Sequence, residues 1–139
     1  MIKLITYTND GDELFDFSFN KDSFKISHDG AKSFIETNTQ KIYIADFTTV
    51  CYDEDILLHK NNPYSNSIAK SLIQSYYKDN RPILYISTKQ GIPLFLFVGD
   101  EIHHDTSADN HISEYFTIDG KTICTTNCNW LVIIKKKPA

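Results

Sequence analysis

The sequence is poor in several residue types that particular functions need. Arginine occurs once, as Arg81, although arginine is the usual side chain for reading phosphate and guanine. The five glycines form no phosphate-binding or dinucleotide-binding loop. The longest apolar run, Ile92 to Val98, is seven residues long, whereas a membrane helix needs about 20. These shortages argue against binding to nucleic acid, nucleotides or membranes.

Cysteine is scarce too, and its pattern predicts no disulfide framework. Cys51, Cys124 and Cys128 leave one thiol over in any pairing, and the first residues lack the apolar segment of a signal peptide. We therefore expect reduced thiols and a cytoplasmic protein. The spacing of Cys124 and Cys128 matches no zinc knuckle, and the sequence predicts no cofactor.

The residues that are plentiful indicate a sheet. Nine phenylalanines and eight tyrosines accompany many isoleucines and threonines, and such side chains fit a pleated surface better than a helix. We expect an α+β fold, with a mostly antiparallel sheet of about seven or eight strands and one long amphipathic helix packed on it. The chain is predicted to be a single domain over residues 1–139 that ends in a basic solvated tail, residues 135–139.

The helix is predicted over residues 63–78. Asn62 is the expected N-cap, with Pro63 at the first helical position and Ser65 or Ser67 as later alternatives for the cap. Apolar residues four apart predict the stripe that faces the sheet. These residues are Ile68, Leu72 and Tyr76, flanked by Ala69, Ile73 and Tyr77.

Local patterns also predict individual strands. Asp119-Gly120 lies between two alternating segments and predicts a tight hairpin, because both central residues of that turn need a positive φ. Residues 93–98 are apolar on both faces and predict a central strand, and residues 41–47 predict another interior strand. Residues 99–113 are polar and predict a loop.

The charge distribution predicts a partner-binding surface. The formal net charge is −4, and residues 100–119 contain six acidic side chains but no lysine or arginine. A field of one sign attracts oppositely charged partners, and nearby aromatic side chains supply binding energy. The predicted partner-binding residues are Asp100, Glu101, Asp105, Asp109, Glu114 and Tyr115, with Phe116 as a second aromatic anchor.

The same segment contains three histidines, His103, His104 and His111, which leave a second reading open. Imidazoles and carboxylates are ligands for zinc and similar ions, so a metal-binding enzyme or sensor is the alternative. His103 and His104 would point to opposite faces of an extended chain, which argues against a shared ion. A third reading is an accessory structural subunit.

A small acidic α+β chain with no catalytic motif, and with residues 100–119 free of basic side chains, resembles bacterial toxin-immunity proteins of the contact-dependent inhibition type. The resemblance implies a non-enzymatic protein that neutralises a basic partner. The implied partner is a nuclease toxin, blocked by acidic steric occlusion of its active site or substrate groove. The identity of the partner, the strand order and the oligomeric state stay open.

Overall fold

Thirteen strands and one helix make up the part of the chain that the structure, a computed structural model, describes. The described residues are 1–20, 25–29, 32–36, 39–56, 58–60, 65–105 and 113–136. The elements are β1 (Ile2–Tyr7), β2 (Glu13–Phe19), β3 (Lys25–Asp29), β4 (Lys32–Glu36), β5 (Lys41–Ile44), β6 (Thr48–Asp53), β7 (Leu58–Lys60), α1 (Asn66–Lys78), β8 (Ile83–Ser87), β9 (Pro93–Val98), β10 (Ile102–Asp105), β11 (Ser113–Ile118), β12 (Lys121–Thr126) and β13 (Asn129–Ile133).

The strands form three antiparallel sheets. The largest has six strands in the order β10-β11-β12-β6-β1-β2, the second has the order β13-β8-β9-β7, and the third has the order β3-β4-β5. The central pairing of the large sheet joins distant parts of the chain, since Cys51 of β6 lies opposite Cys124 of β12. The fold is therefore mainly antiparallel sheet with a single helix in the described residues.

The main core lies between the six-stranded and the four-stranded sheets. Alternate residues of β1 and β6, such as Ile5 and Val50, face Leu84 and Phe95 of the second sheet. Aromatic rings fill the centre, where the Phe95 ring centroid lies 5.3 Å from that of Tyr52. Burial of such rings removes large apolar areas from water and holds the two sheets together.

Both outer faces of this sandwich are covered as well. Leu4 and Cys51 of the six-stranded sheet pack with Ile44 of β5, so the third sheet contributes to a second cluster. The helix covers the four-stranded sheet through Ala69, which packs with Leu96. Strands β6 and β9 are buried along their whole length because they carry apolar contacts on two faces.

The helix differs from the prediction in its start and in its buried face. Ser65 has an extended backbone, and its side chain accepts a hydrogen bond from the N–H of Ile68, so α1 begins at Asn66. Asn62 and Pro63 lie outside the described residues. The packed face consists of Ala69, Leu72, Ile73 and Tyr76 of the predicted stripe, whereas Ile68 and Tyr77 are 49% and 67% exposed. The predicted long helix over 63–78 was therefore wrong at its N-terminal end, and the helix is 13 residues long.

The predicted count of seven or eight strands was also wrong. Residues 99–113 were expected to form a loop, yet Ile102 is buried and its strand pairs with β11 from Ile102↔Ile118 onward. Short polar strands of this kind carry too few apolar residues to show a period of two. The predicted interior strand at 41–47 is β5, which ends the third sheet and is shorter, Lys41–Ile44.

Two local predictions are confirmed. Asp119 and Gly120 have φ values of 50° and 82° and join β11 to β12. Strand β9 lies between β8 and β7, so it is central as its apolar faces predicted. The described residues contain no helix with the length and apolar character needed to cross a bilayer.

Candidate functional site

Four of the predicted partner-binding acids lie at or next to the β10 edge of the six-stranded sheet. Asp100 and Glu101 form the turn before β10, Asp105 ends β10, and Glu114 lies in β11. We call these four residues the acidic edge. Asp109 belongs to residues 106–112, outside the described part of the chain.

The turn of the acidic edge is held in place by Asp119. The Asp119 carboxylate accepts hydrogen bonds from the backbone N–H groups of Glu101, at 2.9 Å, and Asp100, at 3.1 Å. Gly99 permits this close approach because a Cβ atom at that position would collide with Ile118. Asp119 and Gly99 thus hold the backbone of the turn that carries Asp100 and Glu101.

Basic side chains from other elements lie beside the turn of the acidic edge. The Arg81 guanidinium is 3.8 Å from the Asp100 carboxylate. Lys135 and Lys136 line a cleft of about 440 Å³ together with Asp100 and Glu101. The predicted basic tail therefore runs next to acidic residues, and the charge at this end of the edge is mixed rather than purely negative.

The histidines of β10 face opposite sides of the strand. The His103 Nε2 atom lies 2.8 Å from Glu101 Oε1, whereas His104 Nε2 lies 2.8 Å from Glu114 Oε2. His111 lies outside the described residues. No group of three His, Cys, Asp or Glu side chains suited to a metal ion occurs in the described ranges. The geometry does not bring His103 and His104 to one ion.

The two aromatic residues predicted as anchors take part in packing. Tyr115 is half-buried against the cluster that contains Cys51, and its side chain hydrogen-bonds the Cys124 thiol. Phe116 is fully buried in the main core. Aromatic surface beside the acidic edge comes instead from another strand, which the sequence reasoning did not assign to this site.

That strand is β13, the edge of the four-stranded sheet. The Trp130 ring centroid lies 4.8 Å from that of His104 and 5.1 Å from that of Phe116. Strands β10 and β13, each at the edge of its sheet among the described residues, therefore contact each other through His104 and Trp130. Ile134, which is exposed, lines the cleft with Asp100 and Glu101 and adds apolar surface there.

A small polar pocket opens on the other side of Trp130. It has a volume of about 220 Å³, and its walls include Asp46, Lys89, Glu114, Asn127 and Trp130. Asp46 and Asn127 both have left-handed backbone, with φ values of 64° and 53°. The Asn127 side-chain amide donates a hydrogen bond to the Asp46 carbonyl at 2.6 Å, which ties the two walls together.

The sequence reasoning missed this pocket because its walls come from separate segments. The only local signal was the residue type, since aspartate and asparagine are the non-glycine residues that most readily adopt positive φ. A thiol also borders the pocket, but burial raises the pKa of Cys128 to about 12. At neutral pH that thiol is protonated, which is unsuitable for a nucleophile.

Comparison with protein-family models, with curated proteins and with solved structures found no match for this chain. Its function is therefore argued from the acidic edge, the neighbouring edge of β13 and the polar pocket.

Proposed function

We propose that this chain is a non-enzymatic binding protein that neutralises a basic protein partner. In this proposal it acts as an immunity protein, which inhibits a bacterial nuclease toxin by covering the toxin's active site or substrate groove. The observation that carries the proposal is the acidic edge, where four carboxylates lie on the edge strand β10, on the turn before it and on the neighbouring strand β11. Both the small α+β chain and its charge support the proposal.

The arrangement of the edge suits protein recognition. Carboxylates around a binding surface steer a basic partner and discriminate against acidic ones. Trp130 of the adjoining strand β13 and Ile134, which follows it, supply apolar surface in the same region. Aromatic and apolar anchors contribute most of the affinity at protein interfaces, and charged rims mainly set the association rate.

The free-state contacts of the acidic edge indicate how the partner competes for it. Asp100 pairs with Arg81, and Glu101 pairs with His103. Exposed pairs of this kind contribute at most about 1 kcal/mol each, so a partner's lysines or arginines can replace them at little cost. The edge is ordered before binding because Asp119 holds its turn.

The proposal is tested with bait proteins that differ only in charge. The first variant carries Asp100→Lys, Glu101→Lys and Asp105→Lys on the acidic edge. The matched control carries Asp10→Lys, Asp12→Lys and Glu13→Lys, which are exposed residues at the opposite edge of the same sheet. Both variants change the net charge equally, so only the location of the change differs.

Lysate of the native host is passed over each bait and washed at low and then high salt. We expect the unchanged chain and the control to retain one basic protein in equimolar amount, and the acidic-edge variant to lose it. The captured protein should degrade nucleic acid until the chain is added in equimolar amount. Equal retention by both variants, or no basic protein on any bait, would contradict the proposal.

A further inference from the structure

The polar pocket beside Trp130 has no role in the proposed function as stated above. We infer that this pocket binds the guanidinium group of an arginine side chain. The inference deepens the proposed function and rests on it for the source of the arginine, which is the basic partner. The charge, the aromatic wall, the hydrogen-bonding groups and the size of the pocket support this assignment.

The charges that line the pocket favour a cation. Asp46 and Glu114 contribute two carboxylates, and Lys89 contributes one ammonium group, which leaves a net negative charge. Glu114 is partly buried and held by His104 at 2.8 Å, so its carboxylate is positioned before a ligand arrives. Carboxylates bind guanidinium groups through charge-assisted hydrogen bonds, which are stronger than neutral ones.

The aromatic wall adds a surface on which a flat cation can stack. The Trp130 ring packs against two neighbouring rings, with centroid distances of 4.8 Å to His104 and 5.1 Å to Phe116. Tryptophan is the best aromatic partner for a cation, and the planar guanidinium stacks on such rings. A ring already fixed by packing loses little freedom when a ligand binds.

The remaining polar walls can accept hydrogen bonds. The side-chain amide nitrogen of Asn127 donates a hydrogen bond to the Asp46 carbonyl. The side-chain amide oxygen of Asn127 therefore remains as a hydrogen-bond acceptor for a ligand. Thr125 adds a hydroxyl group to the same wall. A guanidinium carries five N–H donors and no acceptor, so a pocket rich in acceptors matches it better than it matches an anion.

The size of the pocket argues for a side chain rather than a whole cofactor. Pockets for small molecules commonly measure about 300–1,000 Å³, and this one measures about 220 Å³. That volume accommodates a guanidinium and its methylene stem. Glu114 belongs both to the pocket and to the acidic edge, so an arginine on a partner seated at the edge can reach it.

Trp130 is the single tryptophan of the chain, so its fluorescence reports directly on the pocket. The probe is Nα-acetyl-arginine amide, which has the side chain of arginine without free charges on its backbone. We expect a saturable change in Trp130 emission, with a dissociation constant in the millimolar range because the ligand is small. The corresponding lysine derivative should bind more weakly, since an ammonium has fewer donors.

Two isosteric substitutions remove the pocket's negative charge with little change of shape. Asp46→Asn keeps a residue that tolerates positive φ, and Glu114→Gln keeps an amide oxygen for the contact with His104. We expect the double variant to bind the probe at least about tenfold more weakly. The control, Asp10→Asn with Glu13→Gln, has the same change of charge at the far edge and should bind as the unchanged chain does.

The possible outcomes distinguish failure of the guanidinium assignment from failure of the proposed function. Equal titrations of the double variant and the control, or equal binding of the arginine and lysine derivatives, would overturn the guanidinium assignment even if a basic protein is captured. Free arginine that binds more than about tenfold tighter than the blocked derivative would assign the pocket to a metabolite and overturn the partner as source. Failure of the lysate experiment with a normal probe titration would remove the proposed function and leave the pocket assignment in place.

Discussion

At the scale of single residues, burial controls the chemistry of the three thiols. Cys51, Cys124 and Cys128 are all buried and unpaired in disulfides. Burial is the main cause that raises the pKa of Cys124 from 9.0 to about 12, although a hydrogen bond with Tyr115 offsets part of the effect. The pKa of Cys51 is raised for the same reason, with a smaller contribution from Cys124 across the strand pair. These thiols stabilise the core as protonated, weakly polar groups.

The raised thiol pKa values predict alkaline destabilisation. An unfolded chain releases its thiol protons near pH 9, whereas the folded chain keeps them until about pH 12. Because the folded state binds more protons in this window, the free energy of unfolding should fall as pH rises from 9 to 12. Each thiol contributes on the order of 1 kcal/mol per pH unit. Urea unfolding at a series of pH values measures the slope.

The matched variant for this experiment is Cys124→Ser, which cannot titrate in this range and keeps a hydroxyl for Tyr115. Its stability should depend less steeply on pH between 9 and 12 than that of the unchanged chain, whatever its stability at pH 7. Identical slopes for the two proteins would show that Cys124 titrates normally in the folded state.

At the scale of elements, caps and turns decide where each segment begins and ends. Ser65 supplies the side-chain acceptor for the first turn of α1. At the other end, the backbone N–H of Asp79 bonds to the carbonyl of Ser75, and Asn80 adopts a φ of 56° that closes the helix. The Asp119 carboxylate links the turn before β10 to the β11–β12 turn.

The cap assignment predicts different effects for two serines. Ser65→Ala should lower the free energy of unfolding by about 1 kcal/mol, because it leaves an N–H of the first turn without its acceptor. Ser71 is an exposed residue inside the helix, so Ser71→Ala should leave stability unchanged or raise it slightly. Both effects are measured as shifts of the urea midpoint. A helix capped at another residue would give no loss for Ser65→Ala.

At the scale of the whole molecule, the aromatic core between the sheets holds the layers together. Phe95 contacts Tyr7 and Tyr52 of the facing sheet, with centroid distances of 6.1 and 5.3 Å, and stacks on Phe97 at 5.3 Å. The edges β10 and β13 meet only because this core aligns the two sheets. The candidate site therefore depends on packing at some distance from it.

Truncation of the central ring should affect the whole molecule. Phe95→Ala should lower the free energy of unfolding by about 3–5 kcal/mol, since the side chain is fully buried and its removal leaves a cavity. Tyr77 is 67% exposed on α1, so Tyr77→Ala should change stability by no more than about 0.5 kcal/mol. Chemical denaturation followed by Trp130 fluorescence measures both. Similar losses for the two variants would contradict the placement of Phe95 in the core.

Sequence reasoning located those parts of the fold and the site whose cause is local. The Asp119-Gly120 turn and the central strand β9 follow from backbone preference and from apolar residues on both faces. The acidic residues within 100–114 could also be predicted as candidates for partner binding, because their charge can be read directly from the sequence. Strand β10 was missed because its formation depends on pairing with β11.

Sequence patterns were sufficient to predict a sheet-rich chain, the end of its helix at Lys78 and a segment with acidic charge only. Tertiary structure alone decided that Arg81 and Lys135 moderate this charge, and that Asp46, Glu114 and Trp130 share a pocket. The difference lies in how far apart along the chain the interacting residues are. Turns, caps and periodicity arise between near neighbours, whereas the pocket forms only after strand pairing and sheet packing bring residues from distant segments together.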